Sequence, residues 1–162
     1  MPESWSTRRA RWLFNWFPAY RGTGGRVEYI AADWTEVRVR VPLNWRTRNV
    51  VGTIFGGSLY GALDPIYMLM LIRQLGPDFV VWDKAATIRF RRPGRSTLRA
   101  VFTIPVALAN SIRDEAIANG KTERVLEVTL VTEAGEVAAE CAKTLYVRRR
   151  VLETPPGGGG TN

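Results

Sequence analysis

Hydrophobic and polar positions along this chain change period several times, and each change predicts an element. Residues 5 to 17 place Trp5, Trp12, Leu13, Trp16 and Phe17 at helical spacing, with Arg8 and Arg11 elsewhere on the wheel. That pattern predicts an amphipathic N-terminal helix ending near Pro18. From Gly25 the period drops to two. Val27, Tyr29 and Ala31 alternate with Glu28 and Ile30, and Val37, Val39 and Val41 alternate with Arg38 and Arg40. The second strand has one dry and one wet face. Over residues 57 to 75 apolar side chains cover nearly the whole wheel, the pattern of a helix buried on all sides, closed by Gly76-Pro77. Four strand-like segments follow. Ala86, Ile88 and Phe90 mark the first, and Leu98, Ala100, Phe102 and Ile104 the second. Residues 123 to 132 and 137 to 149 form a hairpin across Ala134-Gly135. Residues 107 to 119 read as a short amphipathic helix between strands. The tail, "TPPGGGGTN", has the composition of a flexible coil.

A helix without a polar face and about six one-sided strands pack most economically as an antiparallel sheet curled around the helix, an α+β fold. One sheet leaves part of such a helix uncovered, so a second copy of the chain is expected to cover the rest. The expected organisation is a single domain over residues 1–150, with the N-terminal helix at 5–17, the core at 26–149 and a flexible tail at 151–162.

Composition narrows the chemistry. The chain has 162 residues, a formal charge of +8, no His and one cysteine, Cys141. The commonest general base and metal ligand is therefore missing, an internal disulfide is excluded, and a structural zinc site has no ligand set. Residues 5 to 17 are interrupted by charge and do not read as a secretory signal. The longest apolar run, Leu59 to Ile72, contains Asp64 and falls short of the ~18 residues a spanning helix needs. A soluble, cytoplasmic protein is expected. The positive charge alone suggests nucleic acid, but the basic residues lie in at least three segments without a recognition motif, so no nucleic-acid partner is expected.

The most informative stretch is "NVVGTIFGGSLYGALDP", residues 49 to 65, which puts Asp64 among Leu59, Leu63, Ile66, Met68, Leu69 and Leu71. A lone charge in such surroundings is costly to bury. Asn49 stands six residues before Phe55, Gly56-Gly57 follows, and Asp64 falls nine residues after Phe55. With the strand and helix order above, this spacing resembles the hotdog-fold thioesterase superfamily, and within it the phenylacetyl-CoA-type acyl-CoA thioesterases. Their signature is an Asn, then His-Gly-Gly, then an Asp two turns into the central helix. Phe55 replaces the motif His. The N-terminal helix, the 107–119 insert and the Asp64-Pro65 pair also depart from the characterised enzymes, so the chain is most similar to a branch lacking that His. The resemblance covers residues 26 to 149. It implies a hotdog domain, a thioester hydrolase acting on acyl-CoA or acyl-carrier protein, no cofactor beyond CoA as part of the substrate, no metal, and a homodimer or dimer of dimers.

The residues themselves support roles of different kinds. A helix starting at Gly56-Gly57 exposes unpaired N–H groups that a thioester carbonyl can approach closely, because there are no Cβ atoms. Asp64 then serves as general base or nucleophile, with partial burial expected to raise its pKa. Gly57 and Asp64 lie about 10 Å apart along one helix, too far to serve one carbonyl, so the expected site pairs Asp64 of one subunit with Gly57 of another. The competing reading makes Asp64 the N-cap of a helix that begins at Pro65. Asn49 holds the preceding loop or binds the carbonyl. Phe55 lines an acyl channel or packs. Arg91 and Arg92, in "RFRRPGR" with Arg89 and Arg95, meet nucleotide phosphates or form a solvated strand end. The N-terminal helix packs over the open end of the sheet, lids an acyl tunnel, or touches an anionic membrane as a peripheral contact. Met68 and Met70 suit a flexible acyl pocket or plain core. The alternative function is a non-catalytic acyl- or lipid-binding protein. A hydratase of this fold pairs Asp with a His that is absent here.

Overall fold

The computed structural model describes residues 2–150; the expected tail at 151–162 lies outside the described residues. Eleven elements follow one another: α1 (Trp5–Trp16), α2 (Pro18–Thr23), β1 (Arg26–Ile30), β2 (Glu36–Val41), α3 (Gly56–Leu63), α4 (Ile66–Leu75), β3 (Phe79–Phe90), β4 (Leu98–Thr103), α5 (Val106–Asn119), β5 (Lys121–Val131) and β6 (Val137–Arg149). The strands form one antiparallel sheet in the order β1-β2-β4-β5-β6-β3. The sheet wraps the α3–α4 segment in the hotdog arrangement.

The alternation in β2 sorts as its sequence indicates: Val37, Val39 and Val41 are buried and Arg38 is exposed. The same period governs β6, where Ala139, Cys141, Lys143, Leu145 and Val147 point inward. Against this inner face pack Leu59, Leu63, Met70 and Leu71 of the central helices, together with Phe102 of β4. Tyr67 ties the layers together, its hydroxyl donating to the Glu127 carbonyl at 2.6 Å and its ring meeting Phe102 edge-on. A single registered pair, Arg99 with Val131, joins β4 to β5, so the helix layer bridges the weakest seam in the sheet.

Three expectations change on inspection. The central helix is broken at Asp64-Pro65, because Pro65 has no N–H for the Gly61 carbonyl. It is also not buried all round, since Ile72 and Arg73 of α4 are exposed. Pro18, read as a helix end, instead starts α2 at its first position. The N-terminal helix packs over the open end of the sheet: Asn15 accepts from the Val27 N–H at 2.8 Å and donates to its carbonyl at 2.9 Å, covering the outer edge of β1. A Ser4–Thr7 capping box starts α1.

Two glycines separate backbone strain from steric conflict. Gly24 and Gly135 have nearly the same left-handed φ, +81° and +82°, but a Cβ on Gly24 would lie 2.2 Å from Thr47 Cγ2 whereas one on Gly135 meets open space. Gly135→Ala is therefore expected to cost the backbone penalty alone, roughly 1–2 kcal/mol. Gly24→Ala adds an overpacking cost of about 1–3 kcal/mol, and chemical denaturation of the two variants measures the difference.

Candidate active site

Asp64 caps the C-terminal end of α3, and its side chain turns away from α4. No side chain caps the start of α4, so the N-cap reading of Asp64 is overturned. Its carboxylate is instead held at Oδ1, where Lys143 Nζ and the Tyr60 hydroxyl each donate at 2.7 Å. Oδ2 has no hydrogen-bond partner among the described residues. Lys143 also donates to the Asp64 carbonyl and pairs with Asp83 Oδ2 at 3.1 Å. Its side chain is fully buried, the only charged one so placed among the described residues. Asp83 Oδ1, also buried, has no hydrogen-bond partner among the described residues.

These groups meet because three elements converge. Asp64 comes from the break between α3 and α4, Lys143 from the inner face of β6, and Asp83 from β3 just before a register shift between Asp83 and Ala85. Tyr60 stands one helical turn before Asp64 and places its ring 5.6 Å from the Lys143 ammonium. Cys141, two residues before Lys143 on the same face, completes the group.

The two carboxylates that share this ammonium shift in opposite directions. Burial pushes the Asp64 carboxyl up, but the Lys143 and Tyr60 hydrogen bonds and the Lys143 charge outweigh it and hold the group below its ordinary 3.8. The expected rise is thus reversed, because burial arrived with two donors. At Asp83 burial prevails over Lys143 and, with the neighbouring Asp64 charge, pushes the carboxyl above 3.8. Burial likewise raises the Tyr60 hydroxyl and the Cys141 thiol, so both are neutral donors near pH 7.

The glycine turn lies at the other end of α3. Phe55 is its N-cap residue, and no side chain caps the helix. The Gly56 and Gly57 N–H groups have no acceptor among the described residues. A Cβ on Gly56 would come 3.0 Å from the Phe90 ring, and one on Gly57 2.3 Å from the Phe55 ring, so two aromatic rings flank the turn. A cleft of about 460 Å³ brings Asn49 and Gly56 together with Phe90, Arg91 and Arg92. Asp64 does not line it. Within that cleft Asn49 braces its own loop: its Oδ1 accepts from the Val51 and Thr53 N–H groups and its Nδ2 donates to Thr53 Oγ1. Arg91 binds Glu140 at 2.7 Å and Arg92 binds Glu136, both at the surface. Exposed pairs of this kind are worth about 0–1 kcal/mol, so neither guanidinium is committed against an anionic ligand. Phe55 is exposed.

Sequence reasoning picked out Asp64 and missed Lys143, Asp83, Tyr60 and Cys141. For Lys143 a signal was present: the alternation through Cys141, Leu145 and Val147 puts residue 143 on the dry face, and a lysine there requires a carboxylate partner. Lys143→Met should break a buried pair, a change that costs about 3–5 kcal/mol, near the lower figure because half-exposed Asp64 keeps water. The double variant Lys143→Met/Asp83→Leu should regain part of that loss, and a double-mutant cycle by urea unfolding checks it.

The chain is similar over 93% of its length to 99% of a Pseudomonas aeruginosa protein of unknown function described as a probable thioesterase, at 29% identity and a TM-score of 0.79. It shares its fold with a Chlorobaculum tepidum protein of unknown function (16% identity, TM-score 0.73, 90% of this chain and 95% of that one). The same holds for a Haemophilus influenzae thioesterase (18% identity, TM-score 0.69, 94% of this chain and 96% of that one). No curated protein sequence matches significantly. The sequence pattern of one family, described as a domain of unknown function, DUF4442, matches residues 7–147, and the chain belongs to that family.

Proposed function

We propose that this protein hydrolyses an acyl thioester, with acyl-CoA or acyl-carrier protein as substrate and CoA as part of that substrate rather than a separate cofactor. The observation that carries the reading is the asymmetry of Asp64: both donors occupy Oδ1 and leave Oδ2 open. In the base form of the reaction, Oδ2 takes a proton from water as the water oxygen attacks the thioester carbon. The tetrahedral oxyanion then collapses, the C–S bond breaks, and the leaving thiolate recovers the proton. In the nucleophilic form, Oδ2 itself attacks, and the C–S bond breaks to expel the thiolate and leave an anhydride on Asp64. Water then cleaves the anhydride, freeing the acid and the Asp64 carboxylate while a water proton passes to the thiolate. Lys143 and Tyr60 position Asp64 in both forms.

The oxyanion is assigned to the Gly56 and Gly57 N–H groups of a partner subunit, since about 10 Å along α3 separates Gly57 from Asp64 in one chain. An uncovered surface supports this dimer. On β3 Ala86, Ile88 and Phe90 lie opposite Lys143, Cys141 and Ala139 and so share the inner face of the sheet, yet Ala86 and Phe90 are exposed and Ile88 is only partly covered. With exposed Phe55, these residues leave room beside Asp64 for a second copy. Removing one oxyanion donor typically costs ~3–4 kcal/mol of barrier. The thioesterase description of the Pseudomonas relative supports the same reaction class. Among the described residues no helix is long and apolar enough to cross a membrane.

Thiol release from a panel of acyl-CoAs is the test. Asp64→Asn should lower the rate at least about 100-fold, in the range assigned to a positioned acid or base. No release from the wild type on any chain length, with ligand binding intact, would leave the non-catalytic acyl-binding alternative. Activity needs ionised Asp64 and is lost as pH falls through its lowered pKa. The acid limb of kcat/KM should therefore lie below the ordinary aspartate value of about 3.9. A limb above that value assigns the reaction to Asp83 instead. Sedimentation equilibrium should show a dimer, and a monomer active at every dilution refutes the shared site.

A further inference from the structure

A second cavity lies at the far end of the sheet. It occupies about 270 Å³ between α1, the β1–β2 end of the inner face and α4, with Leu13, Phe14, Val27, Ile30 and Leu69 among its walls. Among the described residues Arg73 is the only charged one that lines it. Three strand positions separate β2 from β6, about 14 Å at the usual strand spacing. Along the helix, Ile66, Leu69 and Arg73 fall on one stripe while Asp64 turns toward β6 and β3. This cavity is therefore separate from the Asp64 cluster.

Its walls are built rather than left over. Trp34 holds the left-handed φ of +60°, and it is the only non-glycine residue with positive φ among the described residues. For so bulky a side chain that conformation is a real outlier. Hydrogen bonds keep it there: its N–H donates to the Ala31 carbonyl at 2.9 Å, and its carbonyl accepts from Gln74 at 2.9 Å. The result places the indole in the wall with the Arg73 guanidinium 5.4 Å above its ring. Arg73 is exposed and makes no ion pair among the described residues. At the rim, Leu13 and Phe17 of α1 remain exposed although α1 itself is pinned to β1 through Asn15.

A dry slot ending at one unpaired cation matches a molecule with one apolar chain and one negative head. At about 30 Å³ per water-sized group, the volume takes roughly nine such groups. We propose that this cavity binds a medium-chain fatty carboxylate, its chain between α1 and the sheet and its carboxylate on Arg73. The Arg73 fork and the adjacent indole favour a planar anion over an alcohol of the same length.

Calorimetric titration of the full chain with decanoate and with decanol tests the assignment. Decanoate should bind at least 10-fold more tightly than decanol. Arg73→Gln should weaken decanoate at least 10-fold and leave decanol unchanged. Leu69→Trp, which fills the slot, should abolish both; if that variant fails to fold, Leu13→Trp at the exposed rim should do the same. Asp64→Asn should bind decanoate as the wild type does while losing thiol release, so the two sites fail independently. Equal binding of decanoate and decanol, indifference to Arg73→Gln, or loss of decanoate in Asp64→Asn each overturns the proposal. So does binding to anionic phosphatidylglycerol vesicles without any binding of decanoate, which reassigns the α1 rim to a membrane surface.

Discussion

Everything at the candidate site depends on one buried ammonium. Lys143 has no accessible surface and stands within hydrogen-bonding distance of two carboxylates, Asp64 at 2.7 Å and Asp83 at 3.1 Å. An unpaired ammonium at that position would be far too costly to bury, so the carboxylates are a condition of the fold as well as of the chemistry. Both carboxylates stand beside irregularities: Asp64 at the Pro65 break in the central helix, and Asp83 at the register shift in β3.

The two acids that share this cation are unequal because burial and hydrogen bonding differ between them. Asp64 receives two donors on one oxygen and keeps contact with water, so it stays ionised. Asp83 is more buried and has one oxygen without a partner, so it holds its proton more tightly. Two acids with separated titrations are what acid–base chemistry needs, although a tightly coupled pair titrates as a unit. The lowered pKa makes Asp64 a weaker base than a carboxyl buried alone. In the proposed reaction Lys143 and Tyr60, rather than a residue at the Phe55 position, orient Asp64.

How much was legible in the sequence follows from which periods are regular. Val37, Val39 and Val41 announce their strand without ambiguity, and the helical pattern over 107–119 survives as α5 (Val106–Asn119) because nothing interrupts it. Gly56-Gly57 and Asp64 were visible as a motif, and α3 does begin at the glycines. Lys143 was hidden in a segment read only as one arm of the hairpin across Ala134-Gly135, although its parity placed it inside. Asp83 was hidden more deeply, since the irregularity beside it destroys the alternation by which an inward position is recognised. The acidity of Asp64 required its partners to be known, because burial and hydrogen bonding push it in opposite directions. Trp34 gave no sign, since a left-handed tryptophan is a property of the turn that holds it.

The two ends of the sheet handle their edges in opposite ways. At β1 the chain supplies its own cover: Asn15 occupies both hydrogen-bonding groups of Val27, and α1 closes the inner face while leaving a slot beneath it. At β3 the cover is incomplete, and a 12-residue edge strand leaves Ala86 and Phe90 exposed on the face that holds Lys143. A long free edge is a liability in a monomer. The dimer proposed above would cover it, at the same end where Asp64 has an open oxygen. In the proposed dimer the bare edge and the incomplete site share one cause, each protomer reserving the same face for its partner.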